Sequence, residues 1–201
     1  LYVRRQRQRL SRIMVPISET TTINPELYQG LLSEVGASDR ALAVLAGAML
    51  DDRVKSLLLR YLLPPLKATD DKLFGRSGPL DSFASRTELA RRLHLIEGDD
   101  ARALDIIRTI RNGAAHETTF SFSMNSMTDY VANLVKALKL KEQVPEMLAM
   151  NESPKQRFLL SFLIMSTHLD LELTKITRTT QRPWATAKSV KWNPKGDHID
   201  A

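Results

Sequence analysis

The chain has 201 residues, a formal net charge of +6 and no cysteine. This length suffices for one domain burying about two thirds of its unfolded surface without metal or disulfide. The missing thiol excludes disulfides, thiolate metal sites and cysteine nucleophiles, and no stretch nears the roughly 18 apolar residues of a membrane span.

Basicity sits at the two ends. Arg4, Arg5, Arg7, Arg9 and Arg12 stand in residues 1–16 without an acid, and Lys175, Arg178, Arg182, Lys188, Lys191 and Lys195 crowd residues 175–201. The body between them is therefore acidic on balance. This divides the chain into a basic arm over 1–22, an all-α domain over 23–180 and an irregular tail over 181–201. The five arginines of the arm can hold nucleic-acid phosphates in a salt-sensitive way; a solvated or partner-binding segment has the same composition. No targeting signal is read from a chain that begins at Leu1, and a cytoplasmic setting is expected.

The first helix signal is Asn24-Pro25-Glu26, a cap, a first-turn proline and an acid facing the helix dipole, opening a short helix to about Val35. Gly36 breaks it. Ser38 then caps a long helix through Leu62, with Leu42, Leu45, Met49, Val54, Leu57, Leu58 and Tyr61 recurring at threes and fours, until Pro64 and Pro65 end it. From Lys67 to Pro79 the composition is that of a loop, with Leu73 and Phe74 expected to tuck inward. Asp81 or Ser82 caps a helix to about Leu95, and Asp99 or Asp100 opens the next.

That next helix carries the most informative stretch, Leu104 to His116. Ile107, Ile110 and Ala114 form a buried stripe, while Arg108, Asn112 and His116 fall at steps of four on a neighbouring face, with Arg111 beside them. Such a face is either a polar site or a structural network. Further on, Ser126 and Asp129 read as a capping box before Met127, Tyr130, Val131, Leu134, Val135 and Leu138. Ser153-Pro154 with Gln156 repeats the start signal before Phe158 to Met165, which is apolar on every side. A helix of that kind is central, or it meets another subunit. No strand alternation of useful length is present, so the class is all-α, a compact bundle of about six helices.

Standard chemical motifs are absent. His94, His116, His168 and His198 lack metal-ligand spacing, and there is no phosphate-binding glycine loop, so neither a metal nor a cofactor is expected. The pairs Asp51-Asp52, Asp70-Asp71 and Asp99-Asp100 point about 100° apart when helical, which suits caps better than a cation site. A helix-turn-helix made of Leu89 to Leu95, Gly98 and the helix after it fails, because that second helix would lead with Asp99, Asp100 and Asp105, which phosphates repel. It would also pack Asp100 inward without an evident partner.

Three blocks carry a family resemblance. They are Ala37-Ser38-Asp39-Arg40-Ala41 leading into Leu45 to Asp52, then Leu73-Phe74-Gly75 with Gly78-Pro79-Leu80, Phe83 to Arg86 and Leu93 to Ile96, and finally Ile106 to Asn112 with Ala115-His116. In order and spacing the stretch from Glu34 to His116 resembles the bacterial mannitol operon repressor family, with His94 standing where that family usually has glycine. The resemblance implies a compact helical repressor without a standard DNA-binding module, acting by association with itself or with another transcription regulator. Arg111-Asn112-Gly113-Ala114-Ala115-His116 also resembles the Arg-x4-His motif of HEPN domains, some of which cleave RNA without metal. Under that alternative His116 would move a proton and Arg111 would stabilise phosphate charge, with Asn112 as the polar residue between them.

The remaining expectation is structural. Asp39, Arg40, Asp51, Arg86, Arg108 and Arg111 are charges amid apolar stripes, and such charges must find partners, so they are expected to form an interhelical ionic network. The sequence thus reads as a regulator that is not an enzyme, a homo-oligomer joined through the helix around Phe158 to Met165, with metal-independent RNA cleavage as the alternative.

Overall fold

A computed structural model describes residues 38–65 and 71–176. Among them are seven helices and no strand. Five are long: α1 (Asp39–Tyr61), α2 (Phe83–Arg92), α3 (Gly98–His116), α4 (Asn125–Ala137) and α7 (Pro154–Lys175). Two short ones, α5 (Leu140–Gln143) and α6 (Pro145–Met150), join α4 to α7. The basic arm, the expected helix after Asn24, Asp70 and the tail after Ile176 lie outside the described residues.

The long helices other than α2 form a closed ring in which α1 packs on α3, α3 on α4, α4 on α7 and α7 back on α1. Helix α2 lies against both α1 and α3. At the centre are Leu50, Leu57, Leu104, Ile107, Ile110, Leu134, Phe158, Phe162 and Ile164, all without solvent exposure.

Local chemistry explains most of the ends. Ser38 Oγ accepts from Ala41 N and Ser82 Oγ from Ser85 N, each satisfying a first-turn amide. Ser153 and Gln156 form a reciprocal capping box with Pro154 at the first position of α7. Helix α2 ends in a Schellman turn: Leu95 N donates to Ala90 O and His94 N to Arg91 O, with His94 at φ 55°. That left-handed position is where glycine is unstrained, so the histidine there departs from the expected glycine at a backbone disadvantage.

Four expectations are corrected. The apolar run from Phe158 to Met165 is buried within a single chain, every residue of it, because α1, α3 and α4 pack around α7; it is the central helix and not a subunit interface. On α1 the buried face runs through Leu42, Ala43, Ala46, Gly47, Leu50, Val54, Leu57 and Leu58, while Leu45 and Tyr61 are exposed. The small residues Ala43, Ala46 and Gly47 belong to this buried face and let α3 approach. Leu73 is exposed and only Phe74 packs on the core, since Asp71 Oδ1 accepts from both of their amides and turns the chain there. Finally, α4 starts at Asn125 with no side-chain cap, so Ser126 and Asp129 form no capping box. Its start is set instead by the preceding turn, where Met124 N donates to Ser121 O and Thr128 Oγ1 to the carbonyl of buried Phe122.

Candidate functional site

The stripe of α3 behaves as its spacing requires: Leu104, Ile107, Ile110 and Ala114 are fully buried. His116 and Asn112 turn away from that stripe, His116 exposed and Asn112 half-buried, while Arg111 stands at the edge of the stripe with its side chain running out to solvent. Arg111 Nη1 donates to Asn112 Oδ1 at 3.1 Å. The stem of Arg111 lies across Gly47 of α1, where a Cβ would come within 2.7 Å of Arg111 Cγ and 2.8 Å of its Cβ. Glycine at that crossing is what allows an arginine to lie flat between two packed helices and present its head to solvent.

The C-terminal end of α3 is closed from α1. Arg40 donates through Nη2 to Glu117 O and, at 2.9 Å, to Thr118 O. A cation at the carbonyl end of a helix both satisfies orphan acceptors and complements the dipole. Its neighbour Asp39 faces the next few residues, accepting from Ser121 Oγ and Phe122 N at 3.0 Å each and pairing with Lys155 Nζ at 3.0 Å. Burial raises the Asp39 carboxyl pKa, but the Lys155 ammonium, the Phe122 amide and the Ser121 hydroxyl together outweigh it and hold the group below the usual carboxylate range.

Asp51 and Arg86 make the one bidentate interhelical pair among the expected charges. Arg86 Nε donates to Asp51 Oδ1 at 2.8 Å and Nη2 to Oδ2 at 2.6 Å, while Nη1 donates to Leu80 O at 2.8 Å. One guanidinium thus ties α2, α1 and the preceding loop together, with the fork geometry that favours arginine over lysine. Arg108 pairs with Asp105 on its own helix. The six charges therefore fall into separate places: Asp51 meets Arg86, Asp39 and Arg40 clasp the chain from Glu117 to Phe122, and Arg108 and Arg111 each have a partner on α3.

Three participants were missed in the sequence. Lys155 sits in the first turn of α7, where the dipole disfavours a cation; that misplacement was the available signal for a distant carboxylate. Ser121 gave no signal. His168 Nδ1 lies 3.1 Å from Asp100 Oδ1, which supplies the partner that an inward-facing Asp100 lacked. Among the described residues no cluster of histidines and acids could hold a metal ion, and no helix is long and apolar enough to cross a membrane.

Comparison with known proteins gives a fold and no more. No family profile and no curated protein matches the sequence. The structure is similar to a chain described as the X-ray structure of the MtlR-HPr complex from Escherichia coli, with a TM-score of 0.53 and 18% identity, covering 71% of this chain and 98% of that one.

Proposed function

We propose that this chain is a bacterial transcriptional regulator of the mannitol operon repressor type, working by association with another protein and not through a standard DNA-binding module. The observation that carries the reading is the extent of the structural likeness: nearly the whole of a chain solved in an MtlR-HPr complex is matched by this bundle. The motif blocks between Glu34 and His116 support it, since within the described residues they fall on α1 and α3, which pack on each other, on α2, which lies against both, and on the turns before and after α2.

The partner this reading favours is a protein of the HPr type, and the basic arm supplies a second, nucleic-acid-directed contact. Calorimetric titration of the full chain with HPr from the same bacterium tests the first. Saturable binding supports the reading; absence of heat together with unchanged mannitol-operon transcription on deletion of the gene refutes it. A salt-dependent shift of operator DNA that vanishes when residues 1–16 are removed would assign the arm to DNA.

RNA cleavage is the second reading, favoured by the common exposure of Arg111 and His116 at one end of α3. Its test is incubation with single-stranded RNA in the presence of a chelator. Product that disappears with His116→Ala supports cleavage, and no product from the parent protein excludes it.

A further inference from the structure

The first half of α1 carries an apolar stripe that no described helix covers. Ala41, Leu45 and Ala48 follow one another at steps of four and three and are exposed, with Val44 and Met49 half-buried alongside. Helices α2, α3 and α7 all pack on α1, yet they leave Leu45 36% exposed. A leucine standing at helical period between two alanines is the composition of a packed face. We infer that residues 25–35 fold back as a helix onto this stripe and make an αα-hairpin with α1. The inference does not depend on the proposed regulatory role.

Residues 25–35 lie outside the described residues, and their sequence makes them the fitting occupant. Leu27, Tyr28, Leu31, Leu32 and Val35 share one helical face, with Glu26, Gln29, Gly30, Ser33 and Glu34 on the other. So short a helix is marginal by itself in water, and its apolar face needs a surface to pack on. Asn24 and Pro25 signal its start and Gly36 its end, which leaves only Gly36 and Ala37 before Ser38, the cap of α1. A connection that short makes two helices antiparallel neighbours.

The register also agrees. Antiparallel pairing about this turn sets Val35 against Ala41, Leu31 against Leu45 and Tyr28 against Ala48, so that steps of four and three coincide and large side chains meet small ones at two of the three levels. Both helices rise equally per residue, so the apolar span 27–35 matches the apolar span 41–49. Beyond it the exposed side of α1 turns polar, at Asp52 and Ser56. The short tether keeps the local concentration of the segment high. A second copy of the chain fits less well, because α1 packed antiparallel on itself over its full length brings Asp52 of both copies together near the two-fold axis, a like-charge contact. Docking of residues 25–35 makes the basic arm leave the domain near the middle of α1 and not at its start.

The chain has no cysteine, so a pair introduced into the full chain reports one proximity. With a short bismaleimide, Tyr28→Cys/Ala48→Cys should cross-link within a single chain at least about tenfold faster than Tyr28→Cys/Thr118→Cys. The Thr118 carbonyl is bonded to Arg40, so this control position lies beside the root of α1, within reach of a segment that swings freely. Equal rates for the two pairs overturn the docking, and cross-links that join two chains give the stripe to a second copy and overturn it as well. Leu45→Gln, read by urea unfolding of the full chain, should raise the unfolding equilibrium constant about tenfold, as the loss of a buried leucine contact does. A change within about twofold, as at a solvated position, overturns the inference. Leu45, Ala48 and Thr118 are all exposed, so the described bundle tolerates each substitution.

Discussion

Removing Asp51 should expose how much the Arg86 fork contributes. The guanidinium has a side chain only 9% exposed and makes two bonds to Asp51 and one to Leu80 O, while Asp51 is 23% exposed. Breaking a buried pair from one side costs about 3–5 kcal/mol, because the surviving charge stays desolvated. Water can reach this pair through the Asp51 side, so the lower end applies, about 3 kcal/mol for Asp51→Ala. For a chain of this size that corresponds to a fall in melting temperature of about 6–12 °C. Arg86→Met should cost less, about 2 kcal/mol, since the carboxylate left behind is the better hydrated partner. The Asp51→Ala/Arg86→Met double variant should lie nearer the parent than the sum of the two single losses, since neither charge is then left desolvated without its partner. Urea unfolding of the full cycle at neutral pH measures all of this. A loss below about 0.5 kcal/mol for Asp51→Ala, or single effects that add to within about 0.5 kcal/mol, would refute the account of Arg86 as the tie between α1 and α2.

Four further outcomes are expected. Gly47→Ala should destabilise by about 1–2 kcal/mol, overpacking against the Arg111 stem exceeding the gain in helix propensity, and Arg111→Ala should relieve only part of it because the Cβ contact remains; denaturant melts of the three variants decide. His94→Gly should raise stability by about 0.5 kcal/mol, relief of the left-handed strain being partly offset by backbone entropy, read as a small rise in the denaturation midpoint. Ser166→Ala should stabilise by about 1 kcal/mol, since Ser166 Oγ is buried without a hydrogen-bond partner; a destabilised variant in the same melt would show that the hydroxyl is satisfied. For pH, the Asp39 carboxyl is lowered in the folded state, so its contribution is present above the ordinary carboxylate pKa and lost as pH falls through the folded value. Asp39→Asn should therefore be less stable than the parent at pH 7, with the gap closing in strong acid; a gap independent of pH would exclude the Lys155 pairing as its source.

What the sequence made legible was local. Ser38, Ser82 and Ser153 announce helix starts because a short hydroxyl beside a first turn has few better uses, and the period of Ile107, Ile110 and Ala114 sets the inward face of α3 without reference to any neighbour. Gly47 and Ala46 were opaque for the opposite reason: a small residue counts as core only once another helix presses against it. The same holds for charge. Asp51 and Arg86 could be expected to need partners, but nothing along the chain says that they need each other, whereas Asp39 turns to Lys155, 116 residues away. The all-round apolar run at Phe158 permitted two answers, a centre or an interface, and only the closed arrangement of α1, α3, α4 and α7 selects the first.

That arrangement bears on the order in which the protein can be made. Helix α7, the last of the seven to leave a ribosome, brings the unbroken buried run from Phe158 to Ser166. Until it emerges, α1 and α4 have α3 to pack on, but the sides of both that face α7 stay open to solvent or to other nascent chains. Stable folding should therefore wait for nearly the whole domain to be synthesised, and a chain cut before about residue 170 would leave the six preceding helices with an open apolar side, prone to aggregate, instead of a smaller working bundle.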